Sequence, residues 1–183
     1  MQKRRTVFRR VKTLTTAAML TALSVVIGIF CKNFLNFGMG LFRITFENFP
    51  IILSGIMFGP WVGAFVGIAS DVLSYILSTQ SFAITPVVTL GAALVGVVSG
   101  AVSHYVVKKE GAFRIIASVV AAHFVGSIIV KSIGLFVYYD WMVLWRIPTY
   151  AVIATIEATL ICLMNKNKAF NTLIKKGIRN ELH

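Results

Sequence analysis

The chain has 183 residues, 57% of them hydrophobic and only 13% charged, with a mean hydropathy of +0.84. A soluble domain carries about 25% charged residues, and a single core cannot hide this much apolar side chain, so composition excludes a soluble domain and predicts one membrane domain over residues 1–183. The basic excess, 18 Lys and Arg against 6 Asp and Glu, is cut into blocks by long apolar runs; that arrangement excludes a nucleic-acid binder and fits basic loops on the cytoplasmic side of a membrane.

Residues 1–12 hold Lys3, Arg4, Arg5, Arg9, Arg10 and Lys12 and are predicted to be a cytoplasmic N-terminus. The first span follows, Leu14 to Phe30. No small-residue cleavage pattern comes after it, so it reads as a retained helix rather than a signal peptide. Ala18 and Ala22 form a small-xxx-small pair on it, a spacing that suits close helix packing, within the bundle or against another subunit. The next segment, residues 32–47, is rich in Gly, Phe and Asn and reads as an external loop, either a lid or a connector.

The stretch Phe49 to Leu77 is too long for one ordinary span and short for two, since a crossing helix needs about 20 apolar residues. Charge parity decides. With the N-terminus inside, a single crossing here would put the basic loop of Lys108, Lys109 and Arg114 outside; a double crossing puts it inside, as the positive-inside rule requires. The Gly59-Pro60 turn signal marks the break. A short helix is therefore predicted from Asn48 to Phe58 and another from Pro60 to Leu77, the short one needing a locally thin membrane or packing against its neighbours. Gly59, Gly63 and Gly67, then Gly96 and Gly100, repeat at four-residue spacing and read as packing within the bundle. Spans from Pro86 to Val107, Ile115 to Tyr139 and Ile147 to Met164 complete the chain, separated outside by residues 78–85 and 140–145. The tail, residues 166–183, carries Lys166, Lys168, Lys175, Lys176 and Arg179. The fold class is all-α: six transmembrane helices, both termini cytoplasmic, in a multi-pass protein of the cell membrane.

Intramembrane polar residues are costly and usually face a partner or a cavity. Asp71 and Glu157 fall near the predicted midplane, and Lys131 and Arg146 near the outer surface. Helical spacing places Asp71, Ser74 and Tyr75 on one stripe, His123, Ser127 and Lys131 on a second, and Arg146, Tyr150 and Glu157 on a third. With Arg43, Glu47 and Asn48 they suggest a polar pocket in the outer half of the bundle. The plainer alternatives are snorkelling of Lys131 and Arg146 to headgroups, a structural pairing of Asp71 or Glu157, and a hydrogen-bonded core role for His123. Cys31 and Cys162 lie far apart at or within apolar segments, so neither a disulfide nor a metal site is expected. The chain has no P-loop, HExxH, GxSxG or CxxC, and no enzyme activity is expected.

The segment FRITFENFPIILSGIMFGPWVGAFVGIASDVLSYIL, residues 42–77, resembles the S components of energy-coupling factor (ECF) vitamin transporters. The likeness rests on Arg43, Glu47, Asn48, Pro50, the Phe58-Gly59-Pro60 turn, the glycine ladder and Asp71, with Ala18, Ala22, Arg146 and Pro148 extending it along the chain. Within the family it is most similar to the folate-specific S component. The resemblance implies a substrate-binding subunit that captures a vitamin beneath its outer loops. It implies partners too: a transmembrane coupling subunit and two ATPase subunits, which alone use ATP. It implies docking to them through Ala18 and Ala22. No covalently bound cofactor is expected, and folate is the expected transported ligand. Arg43, Lys131 and Arg146 could meet its glutamate carboxylates, Tyr75, Phe82, Trp145 or Tyr150 could stack on its pterin, and Asp71 could accept from the amino-pyrimidine edge. The alternatives are an S component for another vitamin, such as pantothenate or riboflavin, and a membrane protein unrelated to transport.

Overall fold

The structure, a computed structural model, describes residues 2–37, 42–43, 45–77, 86–107, 111–139, 146–168, 171–172 and 174. Phe82 and Trp145 lie outside these residues, and Arg43 and Arg146 are described by their backbone alone.

Helix α1 runs over Gln2–Phe34. It leads into a two-residue strand β1 (Asn36–Phe37), paired antiparallel with β2 (Phe42–Arg43) so that Asn36 faces Arg43 and Phe37 faces Phe42. This ladder is the one departure from an all-helical chain among the described residues. Its signal was in the sequence: a short glycine-bearing connection, with Gly38 and Gly40, between aromatic residues is hairpin chemistry.

Helix α2 (Asn48–Phe58) and α3 (Pro60–Leu77) meet at Gly59. Gly59 has φ 87° and ψ 176°, a region open essentially to glycine alone, and its N–H donates to the Gly55 carbonyl at 2.9 Å. Helix α4 (Pro86–Val106) ends in a π-helical turn, Val102–Val106. Helix α5 covers 112–139 and is π-helical over His123–Val130. Helix α6 is Arg146–Lys166. All four prolines stand within the first turn of a helix, Pro60 and Pro86 as its first residue, Pro50 and Pro148 as its third. There the missing N–H has no partner to lose.

The bundle is apolar outside as well as within. Trp61, Phe65, Leu90, Phe113, Phe124 and Val152 are all exposed, as befits a surface wetted by lipid tails. Among the described residues, five helical segments are long and apolar enough to cross a bilayer: Val11–Phe34, Pro60–Leu77, Pro86–Val106, Ala112–Gly134 and Ile147–Lys166. Helix α2, with 11 residues, is shorter. At 1.5 Å per residue it spans about 16 Å, roughly half the hydrocarbon thickness. Its solution is packing: every residue from Pro50 to Met57 is buried, and α2 touches α1, α3, α4 and α5. It forms the axis of the bundle and its ends need not reach both lipid faces.

Helices α3 and α4 lie close enough that Gly63 and Gly96 touch backbone to backbone. A Cβ on Gly63 would stand 2.5 Å from the Gly96 carbonyl oxygen, and a Cβ on Gly96 would collide with Gly63. The glycine repeats therefore serve packing inside the bundle.

Candidate binding site

Five elements converge on a cleft of about 190 Å³ lined by Ser24 of α1, Glu47, Ile51 of α2, Ser70, Asp71 and Ser74 of α3, Ala92 of α4 and Lys131 of α5. Its chemistry is polar in an apolar bundle, and the polar groups are organised around one cation. Lys131 is 3% exposed. Its Nζ donates to Asn48 Oδ1 at 3.1 Å and lies 3.8 Å from Glu47 Oε1. Asn48, itself fully buried, turns its amide to donate to Ser127 Oγ at 3.3 Å. A buried ammonium is tolerated when paired and hydrogen-bonded, and these partners come from residues 47 and 48 at the mouth of the short helix.

Local backbone makes the arrangement possible. Four residues of ideal α-helix overshoot one turn by about 40°, so a stripe at four-residue spacing drifts around the helix. The wider π-helical winding over His123–Val130 takes up this drift, and Ser127 and Lys131 both face Asn48. Gly91 on α4 leaves room for the lysine stem: a Cβ there would stand 2.5 Å from Lys131 Cγ. On the opposite wall, Ser24 Oγ donates to the Glu47 carbonyl at 2.7 Å and Thr89 Oγ1 donates to Asp71 Oδ2 at 2.7 Å. Gly28 keeps α1 clear of both the Glu47 carboxylate and Ser74 Oγ, 3.0 and 3.2 Å from where its Cβ would be.

The structure thus gathers Glu47, Asn48, Asp71 and Lys131 around one cleft. Tyr75 stands on the outer side of α3, away from the lining. Tyr150 is buried in a second polar cluster, its ring centroid 6.1 Å from that of His123, whose Nε2 meets Glu157 Oε2 at 2.7 Å. Three contributors escaped the sequence reading. Ser70 stands one helical turn before Ser74 and was recoverable from that spacing. Ser24 and Thr89 sit among apolar residues and small hydroxyls that satisfy themselves on their own helices, as Thr21 does on the Ala17 carbonyl; nothing in the sequence sets them apart.

The chain matches the family described as "ECF transporter, substrate-specific component" over residues 12–178. No curated protein matches it. Among solved structures, it is similar to FolT bound with folic acid. That match has a TM-score of 0.66 at 22% identity and covers 86% of this chain and 94% of that one.

Proposed function

Since the chain belongs to the family of substrate-specific components of ECF transporters, we propose that it binds folate from outside the cell and hands it to an ATP-driven complex. The observation that carries this reading is a fold shared along nearly the whole chain with a folate-bound protein, combined with a polar cleft set inside an apolar bundle.

The charge of the cleft suggests which end of the ligand enters. Its lining holds two carboxylates, Glu47 and Asp71, against the single ammonium of Lys131. Such a site repels the glutamate tail and suits the amino-pyrimidine edge of the pterin, which donates hydrogen bonds. Asp71 accepts from Thr89 on one oxygen and, with about four acceptor positions on a carboxylate, keeps capacity for the ligand. Lys131 fixes Glu47 and Asn48 as further polar contacts. The tail carboxylates fall to Arg43 and Arg146, placed by sequence at the outer ends of their elements, where a guanidinium can bind a carboxylate with two parallel hydrogen bonds. Of the four aromatic residues expected to stack on the pterin, Tyr75 and Tyr150 lie away from the cleft lining, which leaves Phe82 and Trp145 for that role. The cleft as it stands is far smaller than a drug-sized ligand pocket, so folate must widen it on entering.

The topology proposed with this function has six crossings, α2 being the short one, and both termini in the cytoplasm. The partners are a transmembrane coupling subunit and two ATPases, approached through Ala18 and Ala22, which are both exposed on α1.

The absorbance spectrum of the purified protein and a folic acid titration test the reading together. A pterin spectrum and saturable folate binding are expected; a flavin spectrum, or binding of pantothenate in place of folate, transfers the protein to another vitamin. Asp71→Asn and Arg146→Ala are each expected to weaken folate by about ten- to hundredfold, the worth of a hydrogen bond to a charged group. Unchanged affinity in both variants removes both assigned roles.

A further inference from the structure

At the opposite end of α5, about 25 Å from Lys131 by helical rise, the bundle opens a second and larger cavity of about 520 Å³. Its floor is apolar, made by Ile56 of α2, Ile115 of α5 and Ile174 beyond α6, and its polar wall is made by Arg114, Asn165 and Asn171. Arg114 is 9% exposed, and a guanidinium keeps its charge at any physiological pH. Asn171 Nδ2 reaches the Asn165 carbonyl at 3.4 Å, which holds the segment after α6 against the cavity.

We propose that this cavity binds the phosphate of an anionic glycerophospholipid headgroup. Three features select that ligand. The first is charge: Arg114 lines the cavity, and no Asp or Glu stands among its described lining residues. The second is hydrogen-bonding type: a five-donor guanidinium with two amides beside it matches phosphate oxygens. The third is continuity with the lipid face: Phe113 and Ile116, flanking Arg114, are exposed on the outside of α5, so an acyl chain can lie along the helix while its headgroup turns inward. Basic pockets between helices on the cytoplasmic side are a recognised form of lipid site, and the proposed topology puts this one in the inner leaflet. The site is independent of the vitamin cleft and of which vitamin is carried.

Delipidated protein in detergent, titrated with phosphatidylglycerol, with phosphatidylcholine of the same acyl chains, and with inorganic phosphate, tests the proposal through the unfolding midpoint and lipid adducts seen by native mass spectrometry. Phosphatidylglycerol is expected to raise the midpoint and to remain bound; the other two are not. Asn171→Asp is expected to weaken phosphatidylglycerol binding by about fivefold or more, the effect of one charge near a headgroup, with Asn165→Asp as a second variant of the same wall. The double variant Lys166→Gln/Lys168→Gln, which removes exposed charge outside the cavity, keeps the effect. An equal response to phosphatidylcholine or to free phosphate overturns the lipid assignment. So does wild-type affinity in both Asp variants, or loss of binding in the Lys166/Lys168 variant alone.

Discussion

His123 and Glu157 meet at 2.7 Å with side chains 2% and 0% exposed. Their stability logic differs from that of the hydroxyl contacts around them, because interhelical hydrogen bonds in membrane bundles are worth about 0.6 kcal/mol on average. Removing one member of a buried pair strands the other, at about 3–5 kcal/mol. His123→Leu is therefore expected to lower the unfolding midpoint in detergent sharply. The double variant His123→Leu/Glu157→Leu should recover most of the loss, since replacing a whole buried pair with apolar side chains is often neutral. A double variant no more stable than the single one would mean that the pair is held for its geometry and that its charge balance is secondary. Sequence spacing found both partners, since His123 sits on a stripe with Ser127 and Lys131, and Glu157 on a face with Tyr150. It could not show that these two faces meet each other, or that Lys131 turns to Asn48 and Glu47 instead of lipid headgroups. Periodicity fixes the direction of a side chain on its own helix; the partner is fixed by crossing geometry, which no local pattern encodes.

At the level of elements, the boundaries were legible because prolines and Gly59 punctuate them. The predicted Asn48–Phe58 and Pro60–Leu77 helices stand as read. The π-helical winding of His123–Val130 was not, since its residues differ in no way from an ordinary apolar helix. Two glycines at which the sequence alone looks alike should behave differently. Gly111 has a positive φ of 113°, whereas Gly96 stands inside a regular helix. Around Gly111 there is open space, so Gly111→Ala should cost only backbone strain, about 1–3 kcal/mol. Gly96→Ala adds no such strain, but its methyl would strike the Gly63 backbone, and with no soft side chain to give way α3 and α4 must part. The larger fall in unfolding midpoint is expected for Gly96→Ala. Ala18 and Ala22 give the complementary case. They are exposed on α1 among Leu14, Met19, Leu23 and Val26, so Ala18→Trp and Ala22→Trp should leave the isolated bundle and its folate affinity intact. If this face receives the coupling subunit, the same variants lose assembly with the ATPase-bearing complex in co-purification; assembly at the wild-type level would place the interface elsewhere.

For the molecule as a whole, function depends on direction: a capture site must open outward and the basic end must face the energy-coupling partners. The structure joins these requirements through α2. If the buried 11-residue helix counts as a crossing, then Asn33 at the end of α1 lies outside, with the vitamin cleft in the outer half, while Gly111 and Lys168 lie inside with the lysine-rich segments. If it does not count, α3 and everything after it are inverted, and the N-terminal and central basic blocks fall on opposite sides of the membrane. Cysteine labelling distinguishes the two. Cys31 is buried and Cys162 half-buried, so both are first replaced by Ala, and single cysteines are then placed at the exposed positions Asn33, Gly111 and Lys168. A membrane-impermeant thiol reagent applied to intact cells is expected to modify Asn33→Cys alone, and to reach Gly111→Cys and Lys168→Cys only after permeabilisation. Modification of Gly111→Cys in intact cells would place that loop outside, reduce α2 to a buried re-entrant segment, and turn α3 to α6 over. The cleft would then draw its walls from helices of opposed orientation to those assumed for an importer. That single accessibility pattern therefore decides whether Lys131, Asp71 and Glu47 form an outward-facing capture site.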